Sequence, residues 1–263
     1  MKSSFTDLIG IADSSWHAVL LAGLEAIDAA DSAYLPALAK EDFLPTEGRM
    51  FAAFTQPLEQ VRYVLVGEGP YPRAQSATGV CFMDGAVDLL WSEKGLSRQV
   101  NRATSLRNFL KMLLVAEGLM DIEETTGEVL ARISLKARAI GSPYIQTLAE
   151  LQDNLSRQGF LLLNAALVFR PEVPPVRDAR AWQPFLHTVM RALSDYADSK
   201  YMAPPKLVLW GKIAEQLNSS LLTMRFPNAI AEHPYNLSFI GNQSMQALFG
   251  PMRLLLKQGA RSC

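Results

Sequence analysis

Four short apolar runs, each ending at a turn-forming residue, set what this chain can fold into. They are Val61 to Val66 ending at Gly67, Phe160 to Leu163 ending at Asn164, Lys206 to Trp210 ending at Gly211, and Asn228 to Ala231 ending at Glu232-His233-Pro234. Short runs without polar alternation belong to strands covered on both faces. Segments with helical spacing separate them, and strands alternating with helices form a parallel sheet with right-handed crossovers. The expected fold class is therefore α/β, a three-layer α/β/α arrangement around a central four-stranded parallel sheet. Ligands of such sheets lie beyond the carboxyl ends of the strands. Gly67-Glu68, Asn164, Gly211 and His233 are thus expected to converge on one cleft.

From Ser14 to about Leu35 the residues Trp16, Val19, Leu20, Leu24 and Ile27 recur at helical spacing, with Ser14 or Ser15 placed to cap the helix. Thr104 stands as the natural cap of a helix ending at Gly118. A second helix is expected over 122–139, and a third from Ser142-Pro143 to Gly159, with proline at its first position and glycine past its end. Further helices are expected over 180–198, 212–222 and 242–257, the last interrupted at Gly250-Pro251. Neither a repeat nor a linker breaks the pattern, so residues 1–263 are taken as a single domain.

A formal net charge of -1 argues against a wholesale basic surface for nucleic acid, although a local basic face remains open. Arg73, Arg107, Arg170, Arg177, Arg180 and Lys212 lie in or near the strand-end loops and are candidate DNA contacts, each equally consistent with solvated surface. Two cysteines, Cys81 and Cys263, and three scattered histidines offer no metal-ligand spacing. No phosphate-binding glycine loop follows any strand. No cofactor and no metal are expected. The N-terminus has no secretory pattern and no apolar run spans a bilayer, so the chain reads as a soluble, cytoplasmic monomer without membrane association.

Taken one at a time, the strand-end residues have ordinary explanations. Asn164 could be a turn former, His233 a surface or core histidine, Glu68 a solvated carboxylate, and Tyr71 and Phe82 core aromatics. Their order and spacing say more. Gly67-Glu68-Gly69-Pro70-Tyr71-Pro72 is followed by Gly79-Val80-Cys81-Phe82, then by Ser105-Leu106-Arg107-Asn108, Leu161-Leu162-Leu163-Asn164, Trp182-Gln183-Pro184-Phe185, Val208-Leu209-Trp210-Gly211 and Glu232-His233-Pro234-Tyr235-Asn236-Leu237-Ser238. This series resembles the uracil-DNA glycosylases, and is closest to family 1, over about residues 14–257. Gly-Glu-Gly-Pro-Tyr stands where that family has Gly-Gln-Asp-Pro-Tyr.

The resemblance implies hydrolysis of the N-glycosidic bond of uracil in DNA, as in base-excision repair, with uracil or uracil-containing DNA as the partner. It implies that Phe82 stacks on the flipped base, Asn164 pairs with its edge, Tyr71 excludes a thymine methyl, and Gly67 helps shape the pocket. His233 would donate to the base oxygen on which charge accumulates. Leu237 would enter the vacated stack, and Ser238, Gly211 and Lys212 would meet the DNA.

The departures are as specific. The water-positioning aspartate of the family is Gly69 here, the histidine after the tyrosine is Pro72, and Glu93 to Ala103 replaces a proline-rich loop. Glu68, one position from the missing acid, is the candidate displaced carboxylate. Two expectations stay open: an enzyme using Glu68 and His233, or a weakly active or inactive protein that binds uracil or DNA through the same pocket.

Overall fold

Tyr63 and Phe160 stack across neighbouring strands with ring centroids 4.6 Å apart, at one end of the sheet that the apolar runs build. The computed structural model describes residues 5–213, Leu217 and residues 225–259. In chain order the elements are α1 (His17–Ala30), α2 (Tyr34–Leu38), β1 (Tyr63–Gly67), β2 (Trp91–Ser92), β3 (Gly95–Leu96), α3 (Arg98–Arg102), α4 (Thr104–Ala116), α5 (Gly127–Ala137), α6 (Leu148–Arg157), β4 (Phe160–Asn164), α7 (Pro175–Ala181), α8 (Gln183–Ser199), β5 (Lys206–Trp210), β6 (Asn228–Ala231) and α9 (Gln243–Phe249).

The four long strands form one parallel sheet in the order β4-β1-β5-β6, as the alternation of strands and helices requires. Gly67 pairs in register with Asn164, so the two turn residues end their strands side by side. Val64, Val66, Leu161, Leu163, Leu207 and Leu209 face one hydrophobic core. The alternate residues Leu65, Leu162 and Val208 are buried too, as a sheet covered on both faces demands.

The chain packs as two compact units, one of Met1–Gly85, Gly159–Leu209 and Ile213–Asn228, the other of Ala86–Gln158, Trp210–Lys212 and Ala229–Cys263. In the first, α1 lies along α8 so closely that a β-carbon on Gly23 would stand 2.5 Å from the Phe185 ring. That contact explains a glycine inside a helix, where it costs about 1 kcal/mol against alanine. Trp16, Phe54, Trp182 and Phe185 complete an aromatic cluster of edge-to-face pairs. In the second unit, Phe109 of α4 meets Trp210 and Phe249, and Trp210 meets Phe239.

Several boundaries differ from expectation. The first helix begins with a short 3-10 turn, Ser14–Trp16, capped by Asp13, and stops at Ala30, with α2 separate. Residues 142–147 are not helical. The third helix starts at Leu148, because Thr147 and Glu150 form a reciprocal capping box that Ser142-Pro143 cannot match. The second spans Gly127–Ala137 with Thr126 as its cap. Thr104 opens α4 as its first residue and makes no capping bond. The C-terminal helix ends at Phe249, followed by a 3-10 turn, Gly250–Met252. The expected helix over 212–222 lies largely outside the described residues.

Candidate functional site

Beyond β1 the chain stays tied to β4. Ala165 donates its N–H to the Gly67 carbonyl at 2.8 Å, and Ala166 donates to the Glu68 carbonyl at 3.2 Å. Asn164, 5% exposed, lies with its side-chain oxygen over Gly67. A β-carbon at Gly67 would stand 3.1 Å from that oxygen and 2.5 Å from the Cys81 sulfur. The glycine at the strand end is therefore a condition for placing the Asn164 amide, beyond being a turn signal. Glu68 and Gly69 are exposed, and among the described residues no donor reaches the Glu68 carboxylate.

The return segment is built as tightly. Cys81 donates its N–H to the Leu162 carbonyl at 3.0 Å, which docks it on the free edge of β4. Burial pushes the Cys81 thiol up to about 12. The Thr78 hydroxyl donates to the Met83 carbonyl at 2.9 Å and accepts the Val80 N–H at 3.1 Å, closing a turn around Phe82. Phe82 itself adopts a φ of 68°, a left-handed conformation that is rare for a bulky side chain and that collects at functional sites. Tyr71 reaches the Phe82 carbonyl with its hydroxyl at 3.5 Å. Burial, and then the nearby Asp84 and Cys81, push the Tyr71 phenol well above the ordinary tyrosine range, so it keeps its proton. Asp84 is buried and pairs with the exposed Arg73 at 3.7 Å.

In the second unit the segment after β6 carries His233. Its Nδ1 accepts the Tyr235 N–H at 3.1 Å, so in the neutral ring the proton sits on Nε2, which becomes a donor. Gly211, at a φ of 56°, lies against it: a β-carbon there would come within 2.8 Å of the His233 Cβ. The Asn108 amide donates to the carbonyls of Pro234, Tyr235 and Asn236 at 2.8, 3.3 and 3.4 Å. Burial works to raise Glu232, but hydrogen bonds from its own N–H, the Ser238 hydroxyl and the Asn242 amide outweigh it and hold the carboxyl below its ordinary range. Past this braced stretch Tyr235 and Leu237 are 68% and 69% exposed.

No family model matches the chain. Among curated proteins it is 28% identical to a uracil-DNA glycosylase of Corynebacterium glutamicum, over 76% of this chain and 72% of that one. It is 26% identical to uracil-DNA glycosylase 1 of Streptomyces avermitilis, over 83% and 79% of the two chains. Among solved structures it is 38% identical to the wild-type UNG of Nitratifractor salsuginis, with a TM-score of 0.85 over 96% of each chain. The chain belongs to the uracil-DNA glycosylase superfamily. The mimivirus uracil-DNA glycosylase, 17% identical with a TM-score of 0.52, shares the fold.

Within this glycosylase homologue, the sequence-derived residues fall into two described groups. Gly67, Tyr71, Phe82 and Asn164 belong to the first unit, with Glu68 exposed beside them; Gly211, Lys212, His233, Leu237 and Ser238 belong to the second. Ser238 is engaged with Glu232, and Lys212 is exposed. Arg170 is a correction to the candidate DNA contacts. It is buried, with its guanidinium on Asp178 and Glu41, and Asp178 also accepts the Tyr34 hydroxyl. Arg177 and Arg180 are exposed. Sequence reasoning gave Asn108 no role, although its place beside Arg107 in the Ser-Leu-Arg-Asn motif flagged the position. Among the described residues, no three His, Cys, Asp or Glu side chains gather as a metal-ligand set, and no helix is long and apolar enough to cross a membrane.

Proposed function

We propose that this protein is a DNA glycosylase that hydrolyses the N-glycosidic bond of uracil, or of a closely related base, in DNA as a step of base-excision repair. Within the superfamily it stands closest to family 1, acts as a cytoplasmic monomer, and uses no metal ion. The observation that carries the reading is the Asn164 amide, buried, in register with Gly67 and lying over its bare α-carbon. An amide held this way offers one donor and one acceptor to the edge of a flipped base. Phe82 supplies the stacking face, and Tyr71 the wall that a thymine methyl would strike.

As the C1′–N1 bond breaks, its electron pair moves to the base, and His233 donates from Nε2 to the oxygen that gains the charge. Leu237 fills the stack that the base leaves. Ser238, Gly211 and Lys212 track the backbone, and Glu68 provides the carboxylate that Gly69 lacks. The test is release of uracil from single-stranded DNA. Wild type should release it, with Asn164→Ala and His233→Ala slower by about 10²–10³-fold. Absence of release from wild type at long times would overturn the reading.

One observation favours a second reading, a non-catalytic binder of uracil or DNA: the Glu68 carboxylate is exposed and Gly69 carries no side chain. That protein would bind uracil-containing DNA, lose affinity in Asn164→Ala, and release nothing. Equal release rates in wild type and Glu68→Gln would remove Glu68 from the mechanism.

A further inference from the structure

Ala166 spends its N–H and keeps its C=O. The N–H goes to the Glu68 carbonyl, yet among the described residues no donor reaches the Ala166 carbonyl, and the residue is only 3% exposed. A buried main-chain acceptor without a partner calls for a bound water or a functional role. The side chain that would cover this carbonyl is the one Gly69 lacks. A β-carbon at Gly69 would have two neighbours within 4 Å, the Ala166 oxygen at 3.6 Å and the Ala166 Cβ at 3.9 Å. Gly69 is absent from the left-handed glycines, so its backbone does not require glycine. What the bare α-carbon leaves is an exposed residue with no side chain lying over a buried acceptor.

We infer that the Ala166 carbonyl, reached over Gly69, holds the water that attacks the sugar. The inference rests on the glycosylase reading and supplies its missing part. Glycoside cleavage passes through an oxocarbenium-like state. The electron pair of the C1′–N1 bond leaves with the base before the new bond is far advanced. The water then needs orientation more than deprotonation, and a neutral carbonyl can orient it. A lone pair of the water oxygen forms the C1′–O bond, and the surplus proton passes to the exposed Glu68 carboxylate and on to solvent. Neither oxidant nor co-reactant is involved.

Two variants at one position test this by single-turnover uracil release, beside affinity for uracil-containing DNA. Gly69→Ala adds a β-carbon in ordinary contact with the carbonyl and leaves no room for water between them. Its release rate should fall by about tenfold or more, with affinity and thermal midpoint unchanged. Gly69→Asp adds the same β-carbon but brings an acceptor that can hold the water itself. It should match or exceed wild type and gain an acid limb near the aspartate range, about pH 4. Gly69→Ala at the wild-type rate, or Gly69→Asp as slow as Gly69→Ala, would overturn the inference while leaving the glycosylase reading standing. A wild type that releases no uracil refutes that reading itself, and the inference with it.

Discussion

The Asn164 side-chain oxygen lies 3.1 Å from the point that a β-carbon on Gly67 would occupy, with the Cys81 sulfur nearer still. Gly67→Ala must therefore shift both groups. Overpacking of this kind costs about 1–3 kcal/mol. The expected outcome is a lowered thermal midpoint together with a loss of uracil release larger than the stability change explains. Calorimetry alongside the release assay checks it.

Gly211 bears the same relation to His233, with a left-handed backbone added. Gly211→Ala combines a left-handed penalty of about 1–2 kcal/mol with a contact of 2.8 Å against the His233 Cβ. With His233 as the proposed donor, its displacement should slow release by about tenfold or more. Substrate affinity should change less than rate, which single-turnover measurements separate.

Asn108 holds three successive carbonyls of the segment that follows His233. Asn108→Ala leaves them without that donor, at a cost of about 1–3 kcal/mol. Hydrogen exchange at residues 234–237 should accelerate, and release should slow although the Asn108 side chain is buried. Unchanged exchange in that segment would count against a bracing role.

Glu117, just past α4, accepts the Leu255 N–H at 3.1 Å with one carboxylate oxygen, while the other has no hydrogen-bond partner among the described residues. Burial pushes its pKa from 4.5 up to about 7, against the opposing pull of the Leu255 N–H, Arg253 and the Leu254 N–H. A raised folded value means the native state holds the proton more tightly than the unfolded chain. The stabilisation is full below pH 4.5 and is lost as pH rises through 7, by up to about 3 kcal/mol. Glu117→Gln should flatten the fall in thermal midpoint between pH 5 and 8.

Arg170 and Lys212 should separate cleanly. Removing Arg170 strands Asp178 in the core, so Arg170→Ala should destabilise by about 3–5 kcal/mol and leave the salt dependence of DNA affinity alone. Lys212→Ala should do the reverse, reducing the slope of log affinity against log salt by about one. Titrations at several salt concentrations decide.

The sheet was legible because each strand is an apolar run ended by a turn residue, and the superfamily because those endings follow one another in its order. What escaped the sequence depends on competition or on backbone. Ser142-Pro143 looks like a helix start, but Thr147 and Glu150 satisfy more orphan donors five residues later. Arg170 reads as a cation near the site until Asp178 is brought to it by α7. Glu68 stands one residue from the missing acid, but its exposure is not written in the sequence. A main-chain carbonyl such as that of Ala166 has no sequence signature at all, because every residue has one.

Phe82 adds a last point. Its left-handed backbone is strained whether or not a base is present, and the hydrogen bonds of Thr78 and Cys81 hold it there. The cost of fixing the aromatic plate therefore falls on folding rather than on association. On the proposed reading, a base arriving from the DNA meets a ring whose backbone is already set, and the entropy that a freer segment would lose on each encounter has been lost once, when the chain folded.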